Sequence, residues 1–91
     1  MLYPILNTIA HNIKTTPLSI LTGDGWDNYF GRVILVLTLL RENHSYYKTA
    51  KILNTKFETI KSLAERHKRS EYAKSIVELV YWQHYDELKS Y

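Results

Sequence analysis

The sequence predicts an all-α fold, a compact bundle of five or six helices in a single domain, and three observations predict this class. Apolar residues recur at the three- and four-residue spacing of helix faces along most of the 91 residues. No stretch combines alternating apolar residues with a hairpin turn, the pattern typical of antiparallel strands. The chain has no internal repeat and no Ser-, Gly- or Pro-rich linker, so one core is expected over residues 1–91.

Two short helices are expected first. Pro4 is tolerated in a first helical turn, and the apolar residues around it predict a helix over residues 4–14. Thr16 followed by Pro17 marks a second helix start. This helix is expected to end at Gly23, because glycine readily adopts the positive φ that suits a helix end.

The third helix is expected over residues 26–42, with Asp24 as its cap. Its apolar residues cover nearly all faces, which is typical of a central helix. The stretch VILV is rich in β-branched residues, so a strand remains an alternative there.

The next stretch, SYYKTAKILNTKFETIKSL, predicts two helices meeting at a tight turn. Ser45 is expected to cap a helix over residues 45–53, and Asn54 to end it in the left-handed conformation. Thr55 and Glu58 form a T-x-x-E capping box, which predicts a new helix directly after the turn. We call this pair of helices, residues 45–69, the corner.

The second helix of the corner is expected over residues 57–69, burying Ile60, Leu63, Ala64 and His67. His67 is expected to be a neutral, hydrogen-bonded side chain that packs against the corner.

Ser70 is expected to cap one last helix over residues 70–91. Its buried face is predicted to consist of Ala73, Ile76, Val77, Val80, His84 and Leu88. A second apolar stripe contains Tyr72, Leu79 and Trp82, with Tyr81 and Tyr85 nearby. Since packing on one side cannot bury both stripes, we expect a homodimer or partner interface at Tyr72, Leu79, Trp82 and Tyr85.

The charge of the chain is concentrated. The net charge is +3, yet residues 1–40 sum to zero, residues 41–74 sum to +5, and residues 75–91 sum to −2. A basic concentration of this kind favours binding to a polyanion. The alternative is that it is the solvated face of two exposed helices.

The corner has the residue pattern of a DNA-binding helix-turn-helix. Small Ala50, turn residue Asn54 and apolar Leu53, Ile60 and Leu63 occupy the offsets of that motif. The stretch TLLRENHSYYKTAKILNTKFETIKSLAERHK, residues 38–68, resembles the C-terminal helix-turn-helix of the factor-for-inversion-stimulation family, shared with bacterial enhancer-binding activators. The resemblance covers about a third of the chain.

The chain departs from that family's pattern in three ways. Asn54 replaces the usual turn glycine, Glu58 and Glu65 lie in the second helix where they would repel phosphates, and a further helix follows residue 70.

The resemblance implies binding of double-stranded DNA, with residues 57–68 as the recognition helix in the major groove. The side chains that it places near base edges are Lys56, Phe57, Lys61 and Ser62. Those that it assigns to phosphates are Lys48, Lys51, Arg66, Lys68 and Arg69, with the hydroxyls of Tyr46 and Tyr47. The alternatives are that Phe57 is a core residue and that the two tyrosines cover the corner.

The sequence contains no motif for metal binding, phosphate binding or nucleophilic catalysis. The chain has no cysteine, and its four histidines show no ligand spacing, so neither a metal nor a cofactor is expected. The loop GDGWDN lacks the glycine and closing glutamate of a calcium loop. No Gly-rich phosphate loop or nucleophile elbow is present, so we expect neither an enzyme nor a small-molecule substrate.

The sequence also predicts a cytoplasmic protein without a membrane span. Its longest apolar run, VILVLTLL, is far shorter than the ~20 residues that cross a bilayer. Its start lacks the basic residue and cleavage site of a signal peptide.

The sequence therefore favours a DNA-binding helix-turn-helix protein, expected to be dimeric, that regulates transcription or a DNA transaction. The main alternative is a small protein-binding regulator or inhibitor that grips an acidic surface of a nucleic-acid enzyme. A helical bundle of the bacteriocin-immunity type is a third possibility, although it would not need the basic concentration. The abundance of Lys, Tyr, Ile and Asn suits an AT-rich genome such as that of a phage or mobile element.

Overall fold

The computed structural model describes residues 2–42 and 44–91, and this part of the chain contains seven α-helices and no strand. They are α1 (Tyr3–Ile13), α2 (Pro17–Thr22), α3 (Trp26–Arg41), α4 (Tyr46–Leu53), α5 (Phe57–His67), α6 (Glu71–Gln83) and α7 (Tyr85–Lys89). The predicted all-α class is confirmed. The stretch VILV lies in α3, so the strand alternative was wrong, and the described residues form seven helices rather than the five or six predicted.

Helix α3 is the centre of the molecule. It contacts α1, α2 and α6, and also both helices of the corner. Its apolar residues are buried nearly all round, as the sequence predicted for a central helix. The main core joins α1, α2, α3, α6 and α7, whereas a smaller cluster of Val36, Ala50, Ile60 and Ala64 seats the corner on α3. None of the described helices is long and apolar enough to cross a membrane.

Helix α2 lies close against α3. A Cβ atom at Gly31 would stand 2.8 Å from Cγ1 of Ile20, so the glycine permits this approach. The Arg32 guanidinium donates to the carbonyls of Ile20 (2.8 Å) and Gly23 (3.1 Å). These bonds satisfy carbonyl groups that the end of α2 leaves without helical partners.

Two expectations about the link between α2 and α3 were wrong. Gly23 ends α2 as predicted, but its backbone is extended (φ −83°), and its glycine is needed because a Cβ would meet Asn28 and the Ser19 carbonyl. Asp24 does not cap α3, since it stands one residue too early. The N-cap is Gly25, whose φ of 94° disfavours a side chain.

The predicted single last helix is broken at His84. Helix α6 ends at Gln83 and α7 begins at Tyr85. The ring of His84 lies 2.6 Å from the Thr8 hydroxyl and 2.8 Å from a Glu87 carboxylate oxygen, which fixes the bend. All six residues predicted for the buried face are nevertheless buried.

Candidate nucleic-acid interface

The turn of the corner has the predicted conformation. Ser45 Oγ accepts a hydrogen bond from the Lys48 N–H (3.0 Å), so Ser45 caps α4 as expected. Asn54 adopts the left-handed conformation (φ 53°, ψ 50°) that ends the helix. The Thr55 N–H donates to the Ala50 carbonyl (2.9 Å), a bond that closes the end of a helix. The turn is therefore fixed largely by the way in which α4 ends.

The capping box predicted for α5 is not formed. Lys56 is the N-cap, and no side chain caps the helix among the described residues. Thr55 stands one residue too early, and its backbone belongs to the end of α4. Glu58 consequently has no capping role, and the first-turn N–H groups of α5 lack a side-chain acceptor.

Helix α5 packs through one narrow face. Ile60 and Ala64 are buried, while Leu63 and His67 are only half-buried, so the predicted face is confirmed in part. Nε2 of His67 lies 2.9 Å from the Tyr29 hydroxyl, which agrees with a hydrogen-bonded histidine at the base of the corner.

The aromatic residues of the corner lie at its edge. Phe57 is 39% exposed, and its ring meets that of Tyr46 edge-on at 5.9 Å. The alternative of Phe57 as a buried core residue was therefore wrong. Tyr46 is half-buried, whereas Tyr47 is 72% exposed and its ring is open to solvent.

Seven basic side chains surround the corner, and all of them are exposed. We call them the basic surface: Lys48, Lys51, Lys56, Lys61, Arg66, Lys68 and Arg69. Within residues 2–42 and 44–91 none of the seven forms an ion pair, whereas Arg41, Lys74 and Lys89 pair with glutamates. The positive charge of the corner is therefore not neutralised by the rest of the described chain.

The charges on α5 are not uniform. Helical spacing places Ser62, Glu58 and Arg66 farthest from the buried residues Ile60 and Ala64, with Glu65 next to them, and these four form the outermost strip. Phe57 and Lys61 lie nearer the buried face, along one flank of this strip, and Lys68 and Arg69 lie just beyond the end of α5. The guanidinium of Arg66 lies 3.4 Å from the hydroxyls of Tyr29 and Ser62. Ser62 is thus placed between two carboxylates on the strip.

The four residues predicted for a partner interface form two groups. Tyr72 is 63% exposed and stacks on Phe30 with 5.3 Å between ring centroids. Trp82 is 60% exposed and stacks on half-buried Tyr85 at 5.4 Å. Leu79, also exposed, stands between the two groups on α6.

Trp26 enlarges the first of these groups. Its ring also stacks on that of Phe30, with 5.8 Å between ring centroids, and it is 65% exposed. Sequence reasoning did not assign Trp26 to the surface, because its position matched the apolar stripe of α3.

The carboxylate of Glu42, the C-cap residue of α3, links α3 to α6 and α7. Glu42 accepts hydrogen bonds from Lys89 Nζ (2.7 Å) and from the Tyr81 hydroxyl (2.7 Å). These bonds, with Lys89 foremost, lower the pKa of Glu42 below its usual value. The same carboxylate raises the pKa of Tyr81 and that of Lys89.

Beside this network, the Arg41 guanidinium stands 4.2 Å from the centre of the Tyr81 ring and 2.8 Å from a Glu78 oxygen. Its hydrogen bond lowers the pKa of Glu78. Sequence reasoning missed both links, because their partners are 37 to 47 residues apart.

The Thr8, His84 and Glu87 side chains form a hydroxyl–imidazole–carboxylate chain, an order that also occurs in nucleophilic active sites. It adjoins a cleft of about 360 Å³. However, Thr8 lies in the middle of α1, where backbone N–H groups are used in the helix and cannot form an oxyanion hole. The amides of Asn12 and Gln83 donate to Thr8 itself. We interpret these three hydrogen-bonded side chains as a structural link between α1, α6 and α7.

Two further observations bear on function. The described residues contain no group of three or more His, Asp or Glu side chains placed to hold a metal ion. No family model, no curated protein and no solved structure matches the chain.

Proposed function

We propose that this protein binds double-stranded DNA through the corner, as a helix-turn-helix protein that regulates transcription or a DNA transaction. The observation that carries the proposal is the basic surface. Seven exposed cations lack ionic partners among the described residues, while three other basic side chains are paired within the fold. Unpaired cations concentrated on one pair of helices suit a phosphate backbone.

In the proposed complex, α5 is the recognition helix. Its N-terminal half presents Lys56, Phe57, Lys61 and Ser62 to base edges. Lys61 donates to guanine, and Phe57 lies against a thymine methyl group.

Phosphates are held by the remaining cations of the basic surface and by the ends of helices. Lys48 and Lys51 lie on α4, and Tyr47 extends its hydroxyl into solvent at the start of that helix. Arg66, Lys68 and Arg69 lie at the C-terminal end of α5 and just beyond it. Such contacts set affinity and register, whereas base contacts set sequence preference.

Glu58 and Glu65 restrict how α5 can approach DNA. Since both carboxylates lie on the outermost strip, contact with a phosphate would be repulsive. A carboxylate over the floor of the major groove can instead accept a hydrogen bond from the cytosine amino group. Insertion of the strip into the groove, with Lys61 at a base edge and the remaining cations on the phosphates, is therefore the favoured orientation.

A homodimer would present two corners to two half-sites. The proposed dimer interface consists of the exposed side chains of Tyr72, Leu79 and Trp82 together with half-buried Tyr85. Aromatic residues of this kind are enriched at the energetic centres of interfaces.

Fluorescence anisotropy of a labelled duplex, titrated at two salt concentrations, tests the proposal. Binding should weaken with salt, with a log–log slope of roughly −0.9 for each phosphate contact. Lys51→Gln should make that slope less steep by roughly 0.9, the value for one lost phosphate contact. Lys14→Gln is the matched control, since Lys14 is an exposed lysine at the end of α1, outside the corner. Absence of binding at low salt would overturn the proposal.

Lys61 on α5 and Lys68 just beyond its end should behave differently. Lys61→Ala should relax sequence preference at one base pair, by roughly 1–3 kcal/mol of discrimination. Lys68→Ala should weaken binding to all sequences alike, because it removes a phosphate contact. Equal effects of the two changes across a set of single-base-pair variants of the duplex would refute this orientation of the recognition helix.

The second candidate is a small protein-binding regulator or inhibitor, of phage or mobile-element type, that grips an acidic surface of a nucleic-acid enzyme. The observation that favours it is the set of exposed apolar side chains on α6, Tyr72, Leu79 and Trp82, which suit a protein partner better than a nucleic acid. Poly-L-glutamate serves as the probe. Binding to this polypeptide without binding to duplex DNA at the same low salt would favour the second candidate.

A further inference from the structure

We propose that a groove beside the corner binds an amphipathic carboxylate, a molecule with an apolar body and one anionic end. The groove has a volume of about 790 Å³ and lies where the ends of α3 and α5 meet the starts of α4 and α6. Volumes of roughly 300–1,000 Å³ are typical of sites for small organic ligands.

The floor of the groove is apolar. It consists of Leu37 and Leu40 from α3, Ala64 from α5 and Val77 from α6. Leu37 and Leu40 are only partly buried, so the groove contains apolar surface that the protein itself leaves in contact with water. A hydrocarbon chain or an aromatic body in the groove would remove that surface from water.

The rim of the groove carries excess positive charge. Arg41, Lys68 and Lys74 line it together with a single carboxylate, that of Glu78. Arg41 is already held by Glu78 at 2.8 Å. Lys68 has no ionic partner among the described residues, and Lys74 has only a contact of 3.7 Å with highly exposed Glu71. Lys68 is thus available to an anion, and Lys74 can exchange its long, exposed contact with Glu71 for a shorter one.

These two features together select the ligand class. The floor favours an apolar body, and charge complementarity with Lys68 and Lys74 favours a negative end group. A cationic amphiphile would meet repulsion at the rim, and a small inorganic anion would leave the floor exposed to water. The inference does not require DNA binding, because ligand binding is argued from the groove's own lining residues.

The site shares one residue with the basic surface. Lys68 lines the groove and also belongs to the phosphate contacts proposed for the corner. A carboxylate bound by Lys68 therefore competes with a phosphate, so that ligand binding would weaken DNA binding. This consequence rests on the proposed function, whereas ligand binding is measured on the protein alone.

The experiment uses the whole protein and 11-(dansylamino)undecanoic acid as the probe, with decanoate, decanol and decyltrimethylammonium as competitors. We expect the probe to bind and decanoate to displace it better than decanol does, with the cation the weakest competitor. The methyl NMR signals of Leu37, Leu40 and Val77 should shift when decanoate is added. Lys74→Gln should weaken binding about threefold, and Lys68→Gln combined with Lys74→Gln about tenfold. Lys14→Gln, the control outside the groove, should have no effect.

Three results would overturn the proposal. Equal competition by decanol and decanoate would show that charge does not select the ligand. Unchanged affinity in the double variant would place the probe elsewhere, for example on the exposed aromatic residues of α6. Methyl shifts that follow protein concentration rather than decanoate would show that a second copy of the chain occupies the groove.

Discussion

At the scale of single residues, two buried threonines have opposite surroundings. Thr38 and Thr49 are both fully buried. The Thr38 hydroxyl donates to the Ile34 carbonyl at 2.7 Å, whereas the Thr49 hydroxyl has no hydrogen-bond partner among the described residues. A buried polar group without a partner costs free energy, since it has given up hydrogen bonds to water.

Replacing each threonine by valine should therefore change stability in opposite directions. Thr49→Val removes an unpaired hydroxyl and keeps the shape, so the free energy of unfolding should rise by about 1 kcal/mol. Thr38→Val removes a bonded hydroxyl, and the free energy should fall by about 1 kcal/mol. Urea unfolding of both variants measures the difference. Loss of stability in Thr49→Val would mean that its hydroxyl is bonded in solution.

At the scale of helices, two of the predicted side-chain caps are formed. The side chains of Ser45 and Ser70 each accept the N–H predicted for a cap, and Thr16, predicted only as a helix start, also caps its helix. Asp24 and Thr55 failed, and each stands one residue before the true N-cap. Thr55 is used to close α4, an effect of the preceding helix that a capping pattern does not contain.

The conformation of Asn54 gives a test of the turn between α4 and α5. Its φ is positive, which glycine adopts without steric cost and other residues adopt at roughly 1–2 kcal/mol. Asn54→Gly should preserve or raise the melting temperature. Asn54→Ala should lower stability by about 1 kcal/mol, because asparagine tolerates the left-handed conformation better than alanine does.

Lys14, the other non-glycine residue with positive φ among those described, provides the comparison. Lys14→Gly should raise the melting temperature at the end of α1. If Asn54→Ala were as stable as Asn54→Gly, the turn of the corner would have a different conformation in solution.

At the scale of the whole molecule, sequence patterns predicted which helix faces are buried, but not which side chains distant in sequence bond to one another. The buried face of α6 and α7 followed from helical spacing. The bend at His84 did not, because it depends on Thr8, which is 76 residues away in sequence. Likewise, the charges along the sequence predicted the basic surface. The pairing of Arg41 with Glu78 and of Lys89 with Glu42 could not be predicted, because it depends on how the helices pack.

The oligomeric state tests the proposed interface on α6. Trp82→Ser should shift the mass measured by light scattering from dimer towards monomer, since it removes a large exposed aromatic side chain from the proposed contact. Tyr3→Ser is the matched control, because Tyr3 is equally exposed but lies on α1. A monomeric parent protein, or a dimer unaffected by Trp82→Ser, would exclude this interface.

The dependence of stability on pH tests how the end of α3 is joined to α6 and α7. The pKa of Glu42 is lowered in the folded protein, chiefly by Lys89 and then by Tyr81. A lowered folded pKa means that the carboxylate stabilises the fold above its unfolded pKa of about 4.3, and that this contribution is lost as pH falls through the folded pKa. Glu78 contributes with the same sign through Arg41.

Glu42→Gln should therefore lower stability at neutral pH and make its decline below about pH 4.3 shallower than in the parent protein. The raised pKa values of Lys89 and Tyr81 place the loss of their contributions at alkaline pH, so they do not affect this acidic range. Urea unfolding at a series of acidic pH values measures the slope. Glu65→Gln is the control, because the exposed Glu65 side chain makes no ion pair with the described residues. If both variants had the parent slope, Glu42 would not join these helices in solution.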